Sequence, residues 1–154
     1  PQSPPDFIKV SPLVDSAGWI DVDQSTLQHK AFANIFALGD AINAPKAKTA
    51  AAARMQAPVV ANNLLYERGV QTGKAIYNGY GSCPLTVERG KVILAEFGYG
   101  GKILNSMPTW VLDGTKPSRL AWYLKEKLLP PIYWEGMLKG REWLAKPESQ
   151  QSDK

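Results

Sequence analysis

The chain has 154 residues, 44% of them hydrophobic and 21% charged, with a formal net charge of +4. That length and composition suit a folded domain with its own core rather than a disordered segment. A single cysteine excludes an internal disulfide framework, and one cysteine with one histidine cannot close a zinc site. The basic excess gathers near the C-terminus: Lys116, Arg119, Lys125, Lys127, Lys139, Arg141 and Lys146 face only Glu126, Glu135 and Glu142. No run of like charge resembles a nucleic-acid arm, so no nucleic-acid partner is expected. No 18-residue apolar stretch reads as a membrane-spanning helix, and no signal-peptide pattern opens the chain. The start at Pro1 rather than at Met suggests either processing or the C-terminal part of something longer.

Residues 1–17 carry four prolines and read as an irregular connection. Trp19–Asp23 alternates briefly. Asn34-Ile-Phe-Ala-Leu-Gly-Asp40 reads as a short apolar strand stopping at Gly-Asp. Residues 46–67 are rich in Ala and Leu and predict a helix, with Thr49 near its start and a kink or restart at Pro58. Gly69 to Gly73 is a turn. Pro84–Val87, Lys91–Phe97 and Lys102–Leu104 predict two or three antiparallel strands, joined at Arg89-Gly90 and at Gly98–Gly101. Helical pattern returns from Pro117: one segment over 119–129, a break at Pro130-Pro131, and a second over 132–144. The polar tail 147–154 is expected to be disordered. There is no internal repeat.

Three features carry chemistry. In NIFALGDAINAPKAKTAAAA, Gly39 permits close backbone approach to a ligand, and the Asp40 carboxylate can accept hydroxyl hydrogen bonds. The helix start at Lys48, Thr49 and Ala50 offers free N–H groups and a positive dipole end, and the small Ala51 and Ala52 admit a flat ring. The same pattern also suits an ordinary strand-to-helix turn. Cys83, in YNGYGSCPLT, is either a small buried hydrophobe or half of a redox pair. The C-terminal third holds Trp110, Trp122, Trp134 and Trp143, with Tyr123 and Tyr133. Leu120, Leu124 and Leu128 share a helical face with Lys125 and Lys127 off it. This suits a membrane interface, a soluble helix pair packed on its own sheet, or an oligomer contact. His29 reads as a satisfied structural residue. Asp21, Asp23 and Glu96 read as solvating or locally hydrogen-bonded acids.

The segment IFALGDA…KTAAAA resembles the second FAD-binding motif of flavoproteins with two dinucleotide-binding domains. In more detail the chain resembles sulfide:quinone oxidoreductases, particularly the type that includes the mitochondrial enzyme. The segments that carry this are 3–29, FALGDAINAPKAKTAAAA (36–53), YNGYGSCPL (77–85), KVILAEFGY (91–99) and LAWYLKEKLLPPIYWEGMLKG (120–140). The family's GxGxxG phosphate loop has no counterpart here. Gly79–Pro84 and Gly98–Ile103 lack its context of strand, turn and helix.

The resemblance implies an α/β fold: the C-terminal portion of such a flavoprotein, with a small antiparallel sheet and a C-terminal amphipathic helix pair. Residues 1–76 would end the dinucleotide-binding region with the flavin-facing helix, and 77–146 would be the sheet with membrane and quinone helices. It implies FAD held at Gly39, Asp40, Lys48, Thr49, Ala50, Ala51 and Ala52. Cys83 would be a redox cysteine paired with one upstream, its thiolate assisted by a helix dipole or Lys48. Phe97, Tyr99 and Tyr133 are the candidates for quinone contact. The implied partners are sulfide, quinone, a small sulfur acceptor and a membrane surface met by residues 117–146, at a bacterial inner membrane. FAD retention and turnover by these 154 residues alone are not expected, and self-association is. Two alternatives stay open. One is a relative of type II NADH:quinone dehydrogenase or flavocytochrome sulfide dehydrogenase. The other is a non-catalytic membrane-docking or self-associating module.

Overall fold

A computed structural model describes residues 3–45, 48–141 and 145–149. The chain is mixed helix and strand: α1 (Asp6–Lys9), α2 (Ala50–Glu67), β1 (Ala75–Ile76), β2 (Gly81–Glu88), β3 (Lys91–Phe97), a helical run from 119 to 139, and β4 (Glu148–Ser149). β2 and β3 form one antiparallel two-stranded sheet, and β1 and β4 another.

The segment 34–39, expected as a strand, is not continuous. Only Phe36 bridges, to Gln28, and Gly39–Ala41 is a 3₁₀ turn. Local side chains hold the N-terminal region in turns instead. Asp15 Oδ1 accepts from Ala17 N and Trp19 N, Asp23 Oδ1 from Ser25 N and Thr26 N, and His29 Nδ1 from Ala31 N and Phe32 N. Such bonds compete with strand ladders for the same amides. His29 Nε2 meets Leu13 O at 2.9 Å, so the ring is satisfied as expected.

α2 begins at Thr49, whose Oγ1 accepts from Ala52 N at 3.1 Å. It passes through Pro58 without ending. Buried Ala52, Gln56, Val59 and Asn63 anchor the helix on both sides of the proline. Spaced by four, three and four, they form one face against the core, which Val22, Leu27, Ile42, Ala44, Ala75 and Tyr77 complete. Residues 46 and 47, expected at the helix start, lie outside the described residues.

The expected hairpin is observed. Cys83 faces Ala95, Gly81 faces Phe97, and Leu85 faces Ile93. Alternation places these six on one face and Val92, Leu94 and Glu96 on the other. The second face is buried against a smaller core with Leu112 and Ala121. Ser118 ties the following helix to β3, exchanging both backbone bonds with Val92, and its Oγ caps that helix by accepting from Leu120 N and Ala121 N.

Pro130-Pro131 does not break the C-terminal segment into a pair of helices. α3 (Arg119–Tyr123) runs into a π-helical turn over Leu124–Leu128, then α4 (Leu129–Pro131), a second π turn over Ile132–Gly136 and a 3₁₀ turn ending at left-handed Gly140. The wider i→i+5 turns flank the prolines, where two backbone donors are missing. The tail is not free throughout: Glu148 and Ser149 pair with Ile76 and Ala75. Residues 150–154 lie outside the described residues.

Gly114 packs with no room for a side chain. An added Cβ would sit 2.7 Å from the Leu94 carbonyl oxygen, an atom of the sheet backbone that cannot yield. Gly114→Ala is expected to destabilise by about 1–3 kcal/mol, as overpacked sites do, measured as a lowered urea midpoint. An unchanged midpoint would contradict this packing.

Candidate functional site

Gly39 turns with φ 75°, in the left-handed region that favours glycine. Its N–H donates to Gln56 Oε1 at 2.7 Å. Asp40, next to it, is exposed. The start of α2 follows, with Thr49 as cap, Ala50 exposed, Ala51 half-buried and Ala52 buried. The 3₁₀ turn of Gly39 and Asp40 thus packs beside the first turn of α2, with Gly39 next to Ala53 and Asp40 exposed. A hydroxylated or anionic ligand fits that donor and acceptor set.

Lys48 is held at the Asp40 loop. Its Nζ donates to the carbonyls of Asp40 (3.0 Å) and Ile42 (2.7 Å) and lies 3.4 Å from the centre of the Trp19 ring. Partial burial lowers its pKa. The ammonium is thus committed to shaping the Asp40 loop, and these contacts do not include the thiol it was expected to assist.

Cys83 is a free, half-buried cysteine on the less covered face of the β2–β3 sheet. Its approach is pinned by phenols. Tyr77 O–H donates to Tyr80 O at 2.5 Å, and Tyr80 O–H donates to Glu96 Oε1 at 2.5 Å. Glu96 is 6% exposed and also accepts from Ser106 N at 2.8 Å and from Ser106 Oγ. These donors lie 10 and 16 residues away in sequence, so Glu96 is hydrogen-bonded, but by partners that folding brings together and not by its local segment. Burial and the bond to Glu96 raise the Tyr80 pKa.

Of the quinone candidates, Phe97 shares the face of Cys83 and its ring covers Gly81, where an added Cβ would meet Phe97 Cε2 at 2.5 Å. The Tyr99 ring covers Gly79, and its O–H donates to Gln24 O at 2.6 Å. Tyr133 stacks edge-on against Trp134, and no ring contact joins it to Phe97 or Tyr99 among the described residues. The C-terminal run exposes Leu120, Tyr123, Leu128, Tyr133, Trp134 and Leu138, and Trp110 is 87% exposed. No helix is long and apolar enough to cross a membrane among the described residues. Trp143 lies outside them.

Sequence reasoning passed over Gln56, Tyr77, Tyr80 and the true role of Lys125. Lys125 Nζ donates to Pro84 O and Thr86 Oγ1, both at 2.8 Å, and so holds the strand immediately after Cys83 instead of extending from the helix. Gln56 had a readable signal, since it falls in register with the buried positions of α2.

The Tyr77 phenol is pushed up to about 12 by burial, against the opposing effect of the neighbouring Gln56 amide. An unfolded tyrosine titrates near ~10. The folded chain holds this proton more tightly, so the stabilisation is complete below about pH 10 and is lost as pH rises toward 12. Urea midpoints should fall less steeply between pH 10 and about 12 for Tyr77→Phe than for the natural chain. Parallel slopes would contradict this.

No protein-family model matches the chain. Among curated proteins it is 46% identical over 147 residues to the mitochondrial sulfide:quinone oxidoreductase of Dictyostelium discoideum, covering 95% of this chain and 32% of that protein. It is 41% identical over 140 residues to the mouse mitochondrial enzyme of the same name, covering 91% and 30%. The Schizosaccharomyces pombe enzyme gives 41% over 140 residues, 90% and 30%. A chain in the cryo-EM structure of the Tetrahymena thermophila mitochondrial ATP synthase F1Fo tetramer superposes with TM-score 0.70 at 31% identity, covering 86% of this chain and 32% of that one. The chain spans about a third of the length of the curated relatives it matches, and over that third it is similar to mitochondrial sulfide:quinone oxidoreductases.

Proposed function

We propose that the chain carries the flavin-facing and quinone-facing third of an enzyme that oxidises sulfide with a membrane quinone as electron acceptor. The observation that carries this reading is identity of 41–46% to three enzymes of that name over at least 90% of the chain. The position of Cys83 on an incompletely covered sheet face, close in sequence to a rigid phenol-pinned turn, is consistent with a presented thiol.

In this reading Gly39 gives close approach, the exposed Asp40 carboxylate accepts ribityl hydroxyls, and Thr49 with Ala50–Ala52 forms the helix start beneath the ring. Lys48 contributes by fixing the Asp40 loop through its two carbonyl bonds. FAD, when bound, supplies the two-electron acceptor. Cys83 begins as one sulfur of a disulfide whose other cysteine lies outside this sequence. Sulfide attacks Cys83, forming a new S–S bond as the old one breaks, and the other cysteine leaves as a thiolate. Cys83 then holds the persulfide until a small acceptor takes its outer sulfur, leaving Cys83 as a thiolate. The two thiolates close back to the disulfide, and the two electrons this releases would pass through FAD, when bound, to the quinone, which takes up two protons and becomes quinol.

Phe97, Tyr99 and Tyr133 are assigned to the quinone path, and the exposed aromatic run within 117–146 to the membrane surface. Half-buried apolar contact with peripheral placement suits helices that do not span. The relatives' names favour a mitochondrial membrane over the bacterial one expected from the sequence. FAD is not retained by these 154 residues alone, because no phosphate loop is present among them.

A second reading has one specific observation in its favour, the likeness to a chain of an ATP synthase assembly. Here the chain is a non-catalytic module that docks on a membrane complex through the same exposed residues. Cys83→Ser separates the two, tested in the protein with whatever sequence its gene encodes before Pro1. The sulfide reading expects sulfide-dependent quinone reduction to fall roughly 100-fold or more, with bleaching of the flavin by sulfide lost. Full turnover in the serine variant, or flavin bleached by NADH and not by sulfide in the natural protein, would overturn it.

A further inference from the structure

The loop after Gly39 is tied to the segment of Trp19 by main-chain bonds. Ile20 N donates to Ala41 O at 3.0 Å, and Asn43 N donates to Ile20 O at 3.1 Å. The two carbonyls flanking Ala41, those of Asp40 and Ile42, accept from Lys48 Nζ at 3.0 and 2.7 Å. Ile42 is fully buried, so its carbonyl needs a donor from within the fold.

An ammonium is a strongly hydrated point charge on a flexible stem, with three N–H donors. Lys48 spends two of them on these carbonyls, and its Nζ stands 3.4 Å from the centre of the Trp19 ring. Both side chains belong to half-buried residues. An indole face attracts a cation, more so where water is partly excluded. Without the ring, hydration would compete with the two carbonyls for the ammonium.

We propose that Trp19 is a positioning residue for the Asp40 loop: its indole face holds the Lys48 ammonium on the Asp40 and Ile42 carbonyls. The contact joins three separate parts of the chain: Trp19, the loop, and the residue before the Thr49 cap. Lys48 grips Asp40 by its main-chain oxygen, so the exposed carboxylate is presented from a loop already set before a ligand arrives. A loop fixed beforehand loses less freedom on binding. That bearing on the ligand deepens the flavin reading and rests on it, while the hold itself is measured without ligand or turnover.

The test follows amide hydrogen exchange at Asn43 in the ¹⁵N-labelled 154-residue chain. Trp19→Leu and Lys48→Met should each speed it about tenfold, and the double variant no more than either, as for groups in one network. Trp19→Phe keeps an aromatic face and should limit the rise to about threefold. The Val92 amide, bonded to Ser118 O in the separate β3 core, should stay within about twofold. An Asn43 rate unmoved by Trp19→Leu, effects that multiply in the double variant, a Phe variant no better than Leu, or an equal rise at Val92 would overturn the hold. Should Trp19→Leu fail to fold, Trp19→Phe decides: its rise should vanish in the Lys48→Met background, and a rise that persists there would overturn the hold. In the polypeptide with whatever its gene encodes before Pro1, Trp19→Leu should weaken FAD binding about tenfold, and an unchanged affinity would overturn the bearing on the ligand. Either failure leaves the sulfide reading standing. Turnover surviving Cys83→Ser would remove that reading and leave the hold intact.

Discussion

The turn from Tyr77 to Tyr80 is the joint on which both halves of the molecule depend. Tyr77 N donates to Ser25 O, and the Tyr77 ring lies buried in the α2 core. Its hydroxyl fixes Tyr80, and Tyr80 in turn reaches Glu96 on β3. Two phenols thus carry one continuous set of hydrogen bonds from the N-terminal turns to the sheet. Buried polar atoms must be paired, so neither ring can move far without orphaning a partner. The glycines around Cys83 follow from the same packing. Gly79 and Gly81 leave out the side chains that the Tyr99 and Phe97 rings would strike. Their role in the turn is to receive two aromatic rings.

From that joint the sheet acquires two unlike faces. Val92, Leu94 and Glu96 are sealed by Leu112, Ala121 and the Ser106 segment. Cys83, Ala95 and Ile93 stay half-buried, and Leu85 is exposed. Lys125 locks the helix to the carbonyl just past Cys83, so the amphipathic run and the thiol-bearing strand share one frame.

What the sequence made legible was periodic or locally encoded. The β2–β3 hairpin came from alternation and an Arg-Gly turn, and α2 from its Ala-rich run and the Thr49 cap. The Gly39-Asp40 site came from a Gly-Asp ahead of an Ala-rich helix, read as allowing close approach to a ligand, and its left-handed backbone shows only in the structure. What it hid depended on partners distant in sequence. Pro58 and Pro130-Pro131 looked like breaks, yet buried positions and π turns carry the helix past them. The sequence puts Lys48 at a helix start facing a ligand and Lys125 off an apolar helical face, yet both donate to backbone carbonyls brought close only by folding. Strand pattern at 34–39 does not become a ladder because its amides take unlike partners: Ile35 N donates to Phe32 O within a turn, Ala37 N to Leu27 O, and Gly39 N to the Gln56 side chain of α2. Glu96 reads on the sequence as one more polar strand position, and its burial follows only from the loop that carries Ser106.

The central claim is that the Cys83 sulfur and the Asp40 turn serve one flavin ring. An experimental structure of the flavin-loaded polypeptide, including whatever its gene encodes before Pro1, measures this most directly. The account predicts Cys83 Sγ in van der Waals contact with the isoalloxazine and the Asp40 carboxylate hydrogen-bonded to the ribityl chain. A flavin bound elsewhere, or a sulfur turned away from it with other residues in between, would contradict the account.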